Sequence, residues 1–89
     1  MPHIVATLDP RRRKILWRAT HRGIREMDIL LGGFAQARVA ELTDDELGEL
    51  EAIVELPDQE MLTWATGQVA VPVKHRSGLL AEMLRHRPT

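Results

Sequence analysis

Apolar residues recur along most of this chain at spacings of three and four, the repeat that lines one face of an α-helix. The pattern predicts an all-α fold, a small five-helix bundle forming a single domain. Asp9-Pro10 reads as the entry to the first helix, an N-cap acid followed by a proline whose missing N–H costs nothing there. That helix is expected to run to about Arg22, with Ile15 and Ala19 on a face shared with Leu8 and Leu16. Trp17 falls about 100° away from Leu16, so it either covers a neighbouring helix at the bundle edge or anchors a partner. A second helix is expected from about Ile24 to Ala37. Met27, Leu31 and Phe34 share one side of its wheel, Arg25, Glu26 and Ile29 lie roughly opposite, and Asp28 sits at the edge of the apolar stripe.

Two glycines, Gly32 and Gly33, interrupt that helix at about 1 kcal/mol each relative to alanine. Either another backbone packs closely there, the favoured reading, or the helix frays or ends locally to form part of a binding surface. Residues 35–42 either extend the helix or cross over as a connector. The third helix has the clearest start: Thr43 and Glu46 have capping-box spacing, Leu42 and Leu47 the spacing of a hydrophobic staple. Its inner face carries Leu47, Leu50, Ile53 and Val54, and Pro57 stops it. Asp58 is expected to cap a fourth helix through Met61, Leu62, Trp64 and Ala65, closed by Gly67. The alternating Val69, Val71 and Val73 around Pro72 have no second strand to pair with, so residues 68–74 read as an extended connector with its valines packed down. Ser77 is placed to cap a last helix bearing Leu79, Leu80, Met83 and Leu84, with Arg85, His86 and Arg87 at its C-terminal end. Residues 1–8 are expected to be a flexible N-terminus and 9–87 the folded domain.

Composition narrows the chemistry. The 89 residues include no cysteine, so there is no disulfide framework, thiolate nucleophile or thiolate metal site. His3, His21, His75 and His86 are scattered without metal-ligand spacing. No apolar run approaches the roughly 20 residues of a membrane span, and no glycine loop follows a strand to cradle a nucleotide. No tightly bound cofactor is therefore expected. Glu26 and Asp28, two residues apart on a helix, point in different directions and do not form an acid/base pair. The net charge of -1 conceals an asymmetry, because no Lys or Arg occurs between Arg38 and Lys74 while nine acids do. Arg11, Arg12, Arg13 and Lys14 concentrate positive charge in one helical turn. Without aromatic interleaving or a basic whole, they read as a solvated face or a salt-bridging strip against the acidic middle, in preference to a nucleic-acid contact.

The densest stretch is Arg22-Gly23-Ile24-Arg25-Glu26-Met27-Asp28. Gly23 is placed to end the first helix in a left-handed conformation. Asp28 needs hydrogen bonds or a cation, which the basic first helix can supply. This R-G-x-x-E-x-D pattern, preceded by Trp17-Arg18 and followed by an apolar run, resembles the SdhE/YgfY family of FAD assembly factors for succinate dehydrogenase. The likeness extends to Leu42-Thr43-Asp44-Asp45-Glu46, to the Asp58–Trp64 segment and to the C-terminal helix, over roughly residues 10 to 86. His21 stands where the family shows a second arginine. The resemblance implies a non-enzymatic, chaperone-like protein that binds the flavoprotein subunit of succinate dehydrogenase or fumarate reductase and promotes covalent attachment of FAD to it. It implies a monomer when free, in the bacterial cytoplasm or alternatively the mitochondrial matrix. Partner contacts would then be Arg22, Gly23, Arg25, Glu26, Ile29 and Trp17, with Asp28 structural. The competing readings are a regulatory, antitoxin-like interaction module and a small nucleic-acid-binding helical protein.

Overall fold

The computed structural model describes residues 8–76 and 78–86. Five α-helices follow one another: α1 Pro10–Thr20, α2 Arg25–Arg38, α3 Asp44–Val54, α4 Asp58–Thr66 and α5 Leu79–Arg85. Single 3-10 turns at Val39–Glu41 and Val73–His75 complete the regular structure, and there is no strand among the described residues. Residues 35–42 thus do both things the sequence allowed, extending α2 to Arg38 and then crossing to α3.

The helix starts follow from local chemistry. Asp9 accepts the Arg12 backbone N–H at 2.8 Å, and Pro10 opens α1. Thr43 and Glu46 form the reciprocal capping box at α3, with Leu42 and Leu47 both buried beside it. One start differs from expectation. Asp58 is the first residue of α4 and caps nothing, because its carboxylate is turned to Arg22 instead, and the N-cap is Pro57. The Ser77 cap lies outside the described residues, as does Arg87; at α5 the Leu79 N–H is met by the Glu49 carboxylate at 2.8 Å.

Helix α2 lies at the centre, touching α1, α4 and α5. Its Met27, Leu31 and Phe34 join Leu47, Leu50, Met61, Leu79 and Met83 in one core, to which Leu8 also belongs. With a single phenylalanine in the chain, aliphatic side chains and methionines supply nearly all of that packing. The valines of the connector are not all packed down. Val71 is half-buried against the core, whereas Val69 and Val73 stay 51% and 75% exposed. The cause is local: the Val69 N–H folds back onto the Thr63 carbonyl, and the 3-10 turn beginning at Val73 breaks the two-residue alternation.

The two glycines of α2 are not equivalent. A Cβ on Gly32 would lie 3.1 Å from the Ala19 carbonyl oxygen and 3.3 Å from the Thr20 Cα, so the end of α1 rests directly on this position. At Gly33 the nearest atom is 4.0 Å away, on His86. Gly33→Ala is expected to raise stability by about 0.5–1 kcal/mol, while Gly32→Ala lowers it because the obstructing atoms are backbone. Thermal melts of the two variants check this, and equal shifts of the same sign would contradict it.

Of the basic run in α1, Arg11 pairs with the acidic middle, while Arg13 and Lys14 stay exposed and form no ion pair among the described residues. Arg11 grips Glu51 of α3 with two hydrogen bonds, and Arg18 pairs with Glu55. Arg12 reaches the carbonyls of Val39 and Leu42 at 2.9 and 2.6 Å, pinning the crossover to α1. Hydrogen bonds from these guanidinium groups hold the Glu51 and Glu55 carboxyls below their ordinary values, and the Arg12 backbone N–H does the same for Asp9. A lowered folded-state value stabilises the fold above the unfolded value, and that contribution is lost as pH falls through the folded one. Stability should therefore decline progressively below the ordinary carboxylate values of 4.5 for Glu and 3.8 for Asp, and the decline should shrink in molar salt. Melting curves between neutral pH and about pH 3 test this; a flat profile would show that these exposed pairs contribute nothing.

Candidate functional site

The first helix ends two residues sooner than its apolar pattern suggests, at Thr20, and residues 21–24 turn the chain into α2. Gly23 makes the turn with φ of +88°, in the left-handed region that costs a side chain about 1–2 kcal/mol. A Cβ there would meet nothing within 4 Å, so the requirement for glycine is conformational and the space in front of it is open. Asp28, one turn into α2, accepts the backbone N–H of Arg22 at 2.6 Å. This ties the turn to the helix that follows it and places Asp28 as a structural residue, through a backbone donor and not a side-chain cation.

Arg22 departs furthest from its expected role. Its side chain is only 9% exposed, and Nε donates to Asp58 at 2.9 Å. The same guanidinium donates to the carbonyls of Val54 at 2.7 Å and Leu56 at 3.3 Å, with a longer bond to Arg18. Those carbonyls belong to the corner between α3 and α4, where Pro57 prevents the helix from continuing and satisfying them. Arg22 is thus an internal latch joining the Gly23 turn to that corner, and its guanidinium is not presented for a partner. Sequence spacing held no sign of this bond across 36 positions; the one available signal was a corner with orphan carbonyls beside an acid.

The remaining residues of the stretch face outward. Arg25 and Glu26 are exposed in the first turn of α2 and form no hydrogen bond or ion pair among the described residues, and Ile29 is 46% exposed. Trp17, in the last turns of α1, is 61% exposed. Its ring lies flat on that of His21, with centroids 4.3 Å apart and planes 13° from parallel. The His21 Nδ1 is 2.8 Å from the Trp17 carbonyl, so the imidazole is fixed as a backing for the indole. From the last turns of α1 through the first turns of α2 the chain thus leaves outward an aromatic (Trp17), an open glycine (Gly23), a branched apolar side chain (Ile29) and one charge of each sign (Arg25 and Glu26). Such a mixture, held on a rigid turn, suits protein recognition. No group of three metal-binding side chains occurs among the described residues, and none of their helices is long and apolar enough to cross a membrane.

Comparison with known proteins agrees with the sequence resemblance. A family model described as "Flavinator of succinate dehydrogenase" matches residues 13–88. The FAD assembly factor SdhE of Acetobacter pasteurianus is 40% identical over 77 residues, which cover 86% of this chain and 71% of that protein. The mitochondrial succinate dehydrogenase assembly factor 2 of Dictyostelium discoideum is 27% identical over 82 residues, and its counterpart in Saccharomyces cerevisiae 34% over 59. The matched regions make up 58% and 36% of those two proteins, so the chain spans only part of its eukaryotic relatives. No solved structure matches. With the family model covering all but the ends of the chain, and the latched turn at its centre, the protein belongs to the family of the flavinator of succinate dehydrogenase.

Proposed function

We propose that this protein is an assembly factor that binds the flavoprotein subunit of succinate dehydrogenase, or of fumarate reductase, and promotes covalent attachment of FAD to it. The observation that carries the proposal is the exposure of Trp17, Arg25, Glu26 and Ile29 on either side of a turn held by the Arg22 latch, in a chain of this family. The protein contributes recognition and leaves the flavin chemistry to its client. By binding the attachment-competent conformation of the client more tightly than others, it raises that population; a tenfold rise requires about 1.4 kcal/mol of differential affinity. Glu26 serves as a recognition group and not as a base, for it lies on an open surface with no second carboxylate placed to work with it. The encounter takes place where the apo-flavoprotein folds, in the bacterial cytoplasm or the mitochondrial matrix.

Purified apo-flavoprotein incubated with FAD, with and without this protein, tests the reading through flavin fluorescence that survives denaturing electrophoresis. Faster or more complete labelling with the protein present is expected; identical time courses would overturn it. The protein itself should purify colourless, without flavin or metal, and stoichiometric visible flavin absorbance would contradict a role confined to recognition.

A further inference from the structure

We infer that the face built by the connector after α4 and by α5 is a second docking surface, which takes an acidic peptide segment of a protein partner and seats one of its apolar side chains. Four large apolar side chains are exposed among the described residues, and only Trp17 and Ile29 flank the turn at Gly23. Val69 and Val73 are on the connector, which leaves α4 from the end opposite to Asp58. Beside them a cavity of about 210 Å³ is walled by Val71, Ala81 and Leu84 and rimmed by His75, Arg76 and Arg85. That volume lies below the roughly 300–1,000 Å³ of small-molecule sites. It suits a single aliphatic side chain.

The charge of this face selects the occupant. Between residues 68 and 86, setting aside Ser77, the charged residues are Lys74, Arg76, Glu82 and Arg85, with His75 and His86. Glu82 is paired with Arg38 of α2, so it does not neutralise the rim. Arg76 donates through Nε to the Val71 carbonyl at 2.9 Å, which holds its guanidinium at the cavity mouth. Arg85 forms no ion pair among the described residues, while Lys74 lies off this cavity, lining a neighbouring one with Glu49 and His75. Cations around a recessed apolar floor complement carboxylates flanking one apolar side chain. The inference does not depend on which protein the residues about the Gly23 turn bind.

The probe is an acetylated, amidated peptide Glu-Asp-Leu-Glu-Asp, titrated to about 5 mM, a range suited to contacts of millimolar affinity, into the isotope-labelled full chain while amide resonances are followed. Saturable shifts confined to residues 69–76 and 81–85 are expected. Affinity should fall about fivefold in Arg85→Gln, the upper range for one exposed ion pair, with an unchanged melting curve, and should fall again when serine replaces the leucine of the peptide. Absence of shifts at these residues would overturn the proposal, as would equal binding of the serine peptide, which would mean charge attraction without a seated side chain. Shifts that appear on concentrating the protein alone would reassign the face to a second copy of the chain. Binding of anionic phosphatidylglycerol vesicles through these residues, without binding of the peptide, would reassign it to a lipid surface.

Discussion

Replacing Arg22 with alanine is expected to destabilise the protein by about 3 kcal/mol, toward the lower end of the range for breaking a buried ion pair by removing one partner. The geometry supports so large a value. The side chains of Arg22 and Asp58 are 9% and 16% exposed, so water can replace little of what is lost. The substitution strands the Asp58 carboxylate and leaves the Val54 and Leu56 carbonyls without their donor. For a domain of this size each kcal/mol moves the melting temperature by about 4–8 °C, giving a fall on the order of 15 °C. Arg22→Lys should recover little, because a single ammonium lacks the fork that serves a carboxylate and two carbonyls at once. Asp58→Ala should cost less than Arg22→Ala, since the guanidinium keeps its carbonyl partners. Thermal unfolding of the three variants decides the matter; a drop of under about 1 kcal/mol for Arg22→Ala, the median worth of an exposed pair, would mean that the latch is solvated and Arg22 is available to a partner after all.

Glu26→Ala is expected to do the opposite, leaving the fold and removing the interaction. The carboxylate is exposed and has no hydrogen bond or ion pair among the described residues, so only its favourable position near the start of α2 is lost. Stability should change by no more than about 0.5 kcal/mol. A charged contact at the centre of an interface is worth about 2 kcal/mol or more, so affinity for the flavoprotein subunit should fall about thirtyfold. Calorimetric titration of the apo-flavoprotein with wild type and variant, beside melting curves of both, reads the two effects separately. Gly23→Ala is a less clean probe: it strains the left-handed turn and also projects a methyl group into the open space that a partner would occupy.

The helices were legible because their signals are local. Asp9-Pro10, the Thr43–Glu46 box and the three- and four-residue apolar spacing act within one or two turns, and each is realised where the chain places it. What escaped the sequence was non-local or depended on competition. Asp58 has the position of a cap, but a guanidinium from 36 residues away outcompetes the N–H groups of its own helix. The alternating valines look like one buried face, but the backbone turns at Val73 before the alternation can be used. The site was legible in the same proportion. The wheel placed Arg25, Glu26 and Ile29 outward from spacing alone, whereas the inward turn of Arg22 depends on where α3 ends and so on the folded corner. Family resemblance marks such a residue without distinguishing a partner contact from a latch.

The central claim is that this chain promotes flavin attachment through the residues exposed on either side of the Gly23 turn, and covalent flavin on the succinate dehydrogenase flavoprotein in cells tests it most directly. The gene is deleted in the native host and restored as wild type or as Glu26→Ala at matched protein levels. The account predicts that flavinylation falls in the deletion strain, returns with wild type and stays low with the folded Glu26→Ala variant. Full flavinylation of that subunit in the deletion strain would contradict it.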